Sequence, residues 1–126
     1  MQIPEELLYT EEHEWVLVDG DVATVGITDF AQGELGDIVY IEFPEVGDTV
    51  NQTDSFGSIE AVKAVEDLYA PVSGKIVEVN TALEDDFQRI NQDPYGEGWI
   101  VKIKISAPEE LDALLPAKQY SKKIGS

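Results

Sequence analysis

Residues 56–80 read FGSIEAVKAVEDLYAPVSGKIVEVN. Around Lys63 this segment is a near mirror: Glu60-Ala61-Val62 precede the lysine and Ala64-Val65-Glu66 follow it. Two β-prone arms, Phe56 to Val62 and Ala64 to Tyr69, meet at that point of symmetry and predict a β-hairpin with Lys63 at its tip. Pro71 and Gly74 bracket the next turn, where Gly74 is expected to take a conformation that a β-carbon would penalise. Lys75 to Val79 returns as another strand. Lys63 is also the first basic residue of the chain, because residues 1–62 contain neither Lys nor Arg. A lone amine at a rigid tip is a good address for covalent modification. By spacing alone, an ordinary solvated hairpin lysine explains the pattern better.

Working outward from the hairpin, the same β character recurs. Glu14 to Val18 and Val22 to Ile27 flank Asp19-Gly20-Asp21, a hairpin signal because Gly tolerates positive φ. Thr28 to Glu34 reads as a short helix with Thr28 as N-cap. Asp37 to Phe43 is apolar at both parities, which predicts a strand covered on both faces and stopped by Pro44. Gly36-Asp37-Ile38-Val39 is echoed weakly by Gly47-Asp48-Thr49-Val50. The turn-rich stretch Asp93 to Gly98 precedes a strand from Trp99 to Ile105. Ser106-Ala107-Pro108-Glu109 has the form of a capping box opening a helix, with Leu111, Leu114 and Leu115 as its apolar stripe and Pro116 as its limit. Lys118 to Lys123 forms a last turn or tail. Short strands at regular spacing with a terminal helix predict a small β-sandwich or flattened barrel.

A chain of 126 residues, 43 % apolar, is large enough for one domain with a real core, taken as residues 1–126. No apolar run approaches the ~18 residues of a membrane span, and MQIPEELLYT lacks a basic flank and signal core, so the expected location is cytoplasmic. An upstream transit peptide, if one was removed, would make it the mitochondrial matrix. Without Cys there is no disulfide, thiol nucleophile or thiolate metal site. The net charge of −18 repels phosphate backbones, which argues against nucleic acid as a partner and favours a monomer. It also steers the chain toward basic surfaces, although solubility alone would account for it equally.

No constellation supports catalysis or a metal. His13 is the only histidine and no GxSxG elbow is present, so His13 reads as a structural or surface residue. Glu84-Asp85-Asp86 with Asp93 lacks calcium-loop spacing and reads as a solvated acidic loop. Trp15 and Trp99 sit in strand patterns and read as core.

Segment 56–80 resembles the lipoyl-attachment segment of the glycine cleavage system H protein family. HEWV, VGITDFAQGELGDIVYIEFPEVGD, VEVN, PYGEGWIVKIK and ELDALLPAKQY fall in that family's order over nearly the whole chain. The resemblance implies a lipoyl/biotinyl-type barrel-sandwich hybrid of two antiparallel sheets with short helices and a C-terminal helix. It places the attachment hairpin at about residues 56–79 and a C-terminal helical segment at about 106–123. Lys63 maps onto the lipoylated lysine, as an amide to lipoic acid, and Gly57 and Gly74 onto the glycines flanking the hairpin. Val62 and Ala64 stand where biotin carriers usually have Met, and the Asp-Lys-Ala typical of 2-oxoacid dehydrogenase lipoyl domains is absent.

The implied function is that of a non-catalytic carrier. Its arm would take an aminomethyl group from the pyridoxal-phosphate glycine decarboxylase (P protein) to the tetrahydrofolate-dependent aminomethyltransferase (T protein). Dihydrolipoyl dehydrogenase (L protein) would reoxidise it, and a lipoate ligase or octanoyltransferase would load it. A loaded arm needs shelter from water and an anionic place for its amine. Glu14 and Asp67 are the candidates for docking it if the fold brings them together; ordinary surface carboxylates are the plainer alternative. A lipoyl or octanoyl relay donor to 2-oxoacid dehydrogenase complexes would use the same Lys63, and an unmodified acidic interaction module is a third reading.

Overall fold

The computed structural model describes residues 1–125, which fold into two antiparallel sheets joined by short helices. One sheet contains β1 (Leu8–Tyr9), β2 (Glu14–Asp19), β3 (Val22–Ile27), β5 (Thr49–Val50), β8 (Gly74–Val79), β9 (Val101–Ile105) and β10 (Leu115–Pro116), in the order β10-β1-β2-β3-β9-β8-β5. The other has β4 (Ile38–Glu42), β6 (Ser55–Ala61) and β7 (Val65–Tyr69), in the order β4-β6-β7. Helices α1 (Asp29–Leu35), α2 (Arg89–Gln92) and α3 (Ala117–Lys123) complete the fold. No helix is long and apolar enough to cross a membrane among the described residues.

The strands form where alternation and turn chemistry agree. β2 and β3 pair through a two-residue turn, Asp19↔Val22, with Gly20 at φ 64° supplying the left-handed position that this turn needs. Thr28 caps α1 by accepting from Ala31 N–H at 3.2 Å, and Gly36 ends the helix at φ 77°. Val25, Ile76 and Ile103 from the larger sheet meet Ile38, Ile59 and Leu68 from the smaller one in a shared core. Fully burying a side chain of this kind contributes about 1.5–3 kcal/mol.

Two expectations fail. The strand β4 is covered on one side only. Ile38 and Ile41 are buried, whereas Val39 and Tyr40 are 44 % and 52 % exposed. A register shift between Ile38 and Tyr40 breaks strict alternation, so the apolar run does not require two covered faces.

The capping box at Ser106 is likewise not formed. Residues Pro108–Ala113 make a 3-10 turn after Ala107, with no side-chain cap. Glu110 reaches instead to the turn before β8, accepting from Ser73 N–H at 2.7 Å and from Ser73 Oγ at 2.8 Å. Leu115–Pro116 then pair with β1, and Pro116 opens α3 rather than ending a helix. The new helix packs through Tyr120, which is buried and stacks on Tyr9 with centroids 4.6 Å apart.

Candidate functional site

The hairpin of β6 and β7 runs in the register Ser58↔Asp67, Ile59↔Glu66, Glu60↔Val65. Its turn closes with Ala61 N–H donating to the Ala64 carbonyl at 2.8 Å. Val62 N–H donates sideways to the Asp37 carbonyl at 3.1 Å, which ties the tip to the chain entering β4. Lys63 is exposed, and among the described residues its amine has no ion pair. Its stem lies across Gly36: a β-carbon there would sit 3.5 Å from Lys63 Cε and 3.8 Å from Nζ.

Gly57 and Gly74 flank this hairpin, and both are required by close approach. A β-carbon on Gly57 would collide with the Glu42 carbonyl of β4, and one on Gly74 with the Lys104 carbonyl of β9. Gly74 does not occupy the left-handed region; its neighbour strand, not its own φ, excludes a side chain.

Beside the hairpin lies a cleft of about 500 Å³. Ile27, Phe30 and Leu68 are among its apolar walls, and Glu14 and Asp67 both line it. Glu14 also lines a second cavity of about 460 Å³, shared with Thr10, Gln52 and Thr53. The two acids differ sharply in environment. Asp67 is exposed on the edge strand β7. Glu14 is 1 % exposed. Burial pushes its carboxyl up to about 7, against the lowering effect of its hydrogen bonds. Those come from Thr10 Oγ1 to Oε1 at 2.6 Å and from Tyr69 N–H to Oε2 at 3.3 Å.

His13 is held structurally, as its isolation in the sequence suggested, but it also lines the cleft. Its Nδ1 lies 2.9 Å from the Tyr120 hydroxyl, which in turn is 2.8 Å from Thr28 Oγ1. Burial lowers the His13 pKa, and its φ of 72° marks a constrained backbone. No sequence signal placed His13 in the cleft, because the contact that orients it spans 107 residues. Gly36, under the Lys63 stem, was missed for the same kind of reason.

The family model for the glycine cleavage H-protein matches residues 7–126. The glycine cleavage system H protein of Staphylococcus carnosus (strain TM300) is 54 % identical over 125 residues, covering 99 % of each chain. The crystal structure of a glycine cleavage system H protein from Mycobacterium marinum superposes with a TM-score of 0.91 at 44 % identity, over 98 % of this chain and 100 % of that one. Matched along its length in sequence and in its two-sheet architecture, the chain belongs to the glycine cleavage H-protein family.

Proposed function

We infer that this chain is a carrier subunit of the glycine cleavage system that holds lipoate in amide linkage to Lys63. The observation that carries this reading is Lys63 itself: exposed, without an ion pair among the described residues, and rooted at the tip of a tied hairpin. These residues fit an acylated lysine, since among the described residues no ion pair depends on the charge of the amine. When bound, the lipoyl group supplies a dithiolane that accepts an aminomethyl group from the pyridoxal-phosphate glycine decarboxylase, yields it to the tetrahydrofolate-dependent aminomethyltransferase and is reoxidised by dihydrolipoyl dehydrogenase. Lys63 roots that group and keeps it at high effective concentration near each partner.

The cleft is the resting place for the arm's loaded end. Its apolar residues Ile27, Phe30 and Leu68 would cover the arm, and Glu14 and Asp67, which both line it, would accept hydrogen bonds from the cationic amine. Such charge-assisted bonds contribute about 1.5–3 kcal/mol. Glu14 must be ionised to do this. With its pKa raised to about 7, retention should strengthen as the pH rises through neutrality. The test is the lifetime of the aminomethyl-loaded protein without folate. Glu14→Gln and Asp67→Asn should each shorten it by about tenfold, the equivalent of 1.4 kcal/mol. Equal decay in wild type and both variants would remove these two acids from the mechanism.

A further inference from the structure

Asn91, on α2 and 28 residues from Lys63 in sequence, grips the backbone that supports the hairpin tip. Its amide is fully used. Nδ2 donates to the Gly36 carbonyl at 2.8 Å and to Gln32 Oε1 at 3.0 Å, and Oδ1 accepts from Ile38 N–H at 2.9 Å. These partners lie on either side of Asp37, whose own carbonyl receives Val62 N–H at 3.1 Å. Gly36 is also the residue across which the Lys63 stem lies. Ile38 pairs with Ala61, the last strand residue before the tip. The two backbone contacts nearest the tip from outside its own hairpin, Val62 to Asp37 and Ala61 to Ile38, therefore fall on the segment Gly36-Asp37-Ile38, and one side chain holds that segment at both ends. Gln32, the third partner, is itself fixed by donating from Nε2 to Asp29 Oδ1 at 2.7 Å. The anchor thus reaches back to the first turn of α1.

We propose that Asn91 is a positioning residue for acylation of Lys63: by clamping Gly36 and Ile38 it holds the hairpin tip in the pose that a lipoate-attaching enzyme requires. The proposal rests on the carrier reading. In the reaction concerned, the Lys63 nitrogen forms the amide C–N bond while the acyl–phosphate C–O bond of an acyl adenylate breaks. AMP leaves, and the surplus proton of the amine passes to solvent. The attacking atom sits at the end of four flexible methylenes, so the backbone root is what the protein can fix in advance. A root displaced by about 1 Å can cost on the order of 100-fold in a step that depends on alignment. Asn91 touches neither the amine nor the acyl donor, so its effect is on alignment and not on the chemistry of the amine.

The experiment uses the full-length unmodified chain with lipoate, ATP and a lipoate ligase. Asn91→Ala and Asn91→Asp are compared with wild type, with acylation of Lys63 followed by mass. Asn91→Ala should lower kcat by about 10- to 100-fold, with little change in KM for this protein. Asn91→Asp can still accept from Ile38 N–H but sets a carboxylate oxygen against the Gly36 carbonyl where a donor stood, so it should lower kcat at least as much as Asn91→Ala. Acylation of Lys63 by a small activated ester, which needs no pose, should be unchanged in both, and a cooperative urea transition shows that each variant is folded. Amide hydrogen exchange at Val62 should quicken in both variants, independently of any ligase. If Asn91→Ala fails to fold, Asn91→Asp alone decides the matter. Wild-type kcat and wild-type Val62 exchange in a folded variant would overturn the proposal. A wild-type chain that no ligase acylates at Lys63 would instead overturn the carrier reading, leaving Val62 exchange to judge the clamp.

Discussion

Glu14 is a carboxylate among 26 acidic residues, and only the fold sets it apart. Buried at 1 % exposure, with its pKa raised to about 7 from an ordinary 4.5, it binds a proton in the folded state over a range where the unfolded chain has released it. The folded state therefore holds more protons between those two values, and stability falls as the pH rises through them. The full swing from this one group is about 3 kcal/mol, complete above pH ~7. Glu14→Gln should flatten that part of the profile, as measured by urea unfolding at pH 5 and pH 8. A variant whose stability changes with pH as steeply as wild type would show that Glu14 titrates normally. Lys63 stood out at a point of symmetry after 62 residues without a base, and the family resemblance, not the spacing, singled it out as a candidate. Glu14 was legible only as a neighbour in the HEWV segment. Its burial depends on Tyr69, 55 residues away, whose N–H it accepts. Asn91 carried no signal at all, since its role lies wholly in contacts across the fold.

At the scale of elements, the Lys63 hairpin and the β2–β3 hairpin follow their sequence signals closely, because turn residues and alternation act locally. The C-terminal segment did not. Ser106 to Glu109 has the letters of a capping box, yet Glu110 gains more from the part-buried donors of Ser73, and Leu115–Pro116 from pairing with β1. Tertiary partners overrode a local motif. Gly74 shows a similar lesson. A turn glycine suggests a special φ, whereas here the neighbouring β9 carbonyl fills the space of a β-carbon. Gly74→Ala should therefore force β8 from β9 and cost at least about 2 kcal/mol, read as a lowered denaturation midpoint at unchanged slope. A midpoint matching wild type would mean that the sheet yields to the added methyl group without strain.

Across the whole molecule, a net charge of −18 is unevenly met. The ion pairs Lys102–Glu78, Lys104–Asp21 and Lys123–Glu11 are exposed and contribute little to stability. The acids without an ion pair among the described residues include Glu12, Glu34 and Glu66 on the walls of the cleft, so the negative field gathers where the arm would be exchanged. Enzymes that receive this carrier should present basic rims, and added salt should raise the apparent KM of the glycine decarboxylase for it. A flat response from low to physiological ionic strength would assign the charge to solubility alone. The mostly β class was legible from short, regularly spaced strands, and the two-sheet architecture from the family resemblance. The cleft was not, because its walls come from segments as far apart as Glu12 and Tyr69. The most direct measurement is intact mass followed by peptide mapping of the chain produced in cells supplied with lipoate. One lipoyl group on Lys63, and none on Lys63→Arg at an unchanged denaturation midpoint, is the expected result. Lipoate on Lys75, Lys102 or Lys104, or an unmodified wild-type chain, would contradict the assignment.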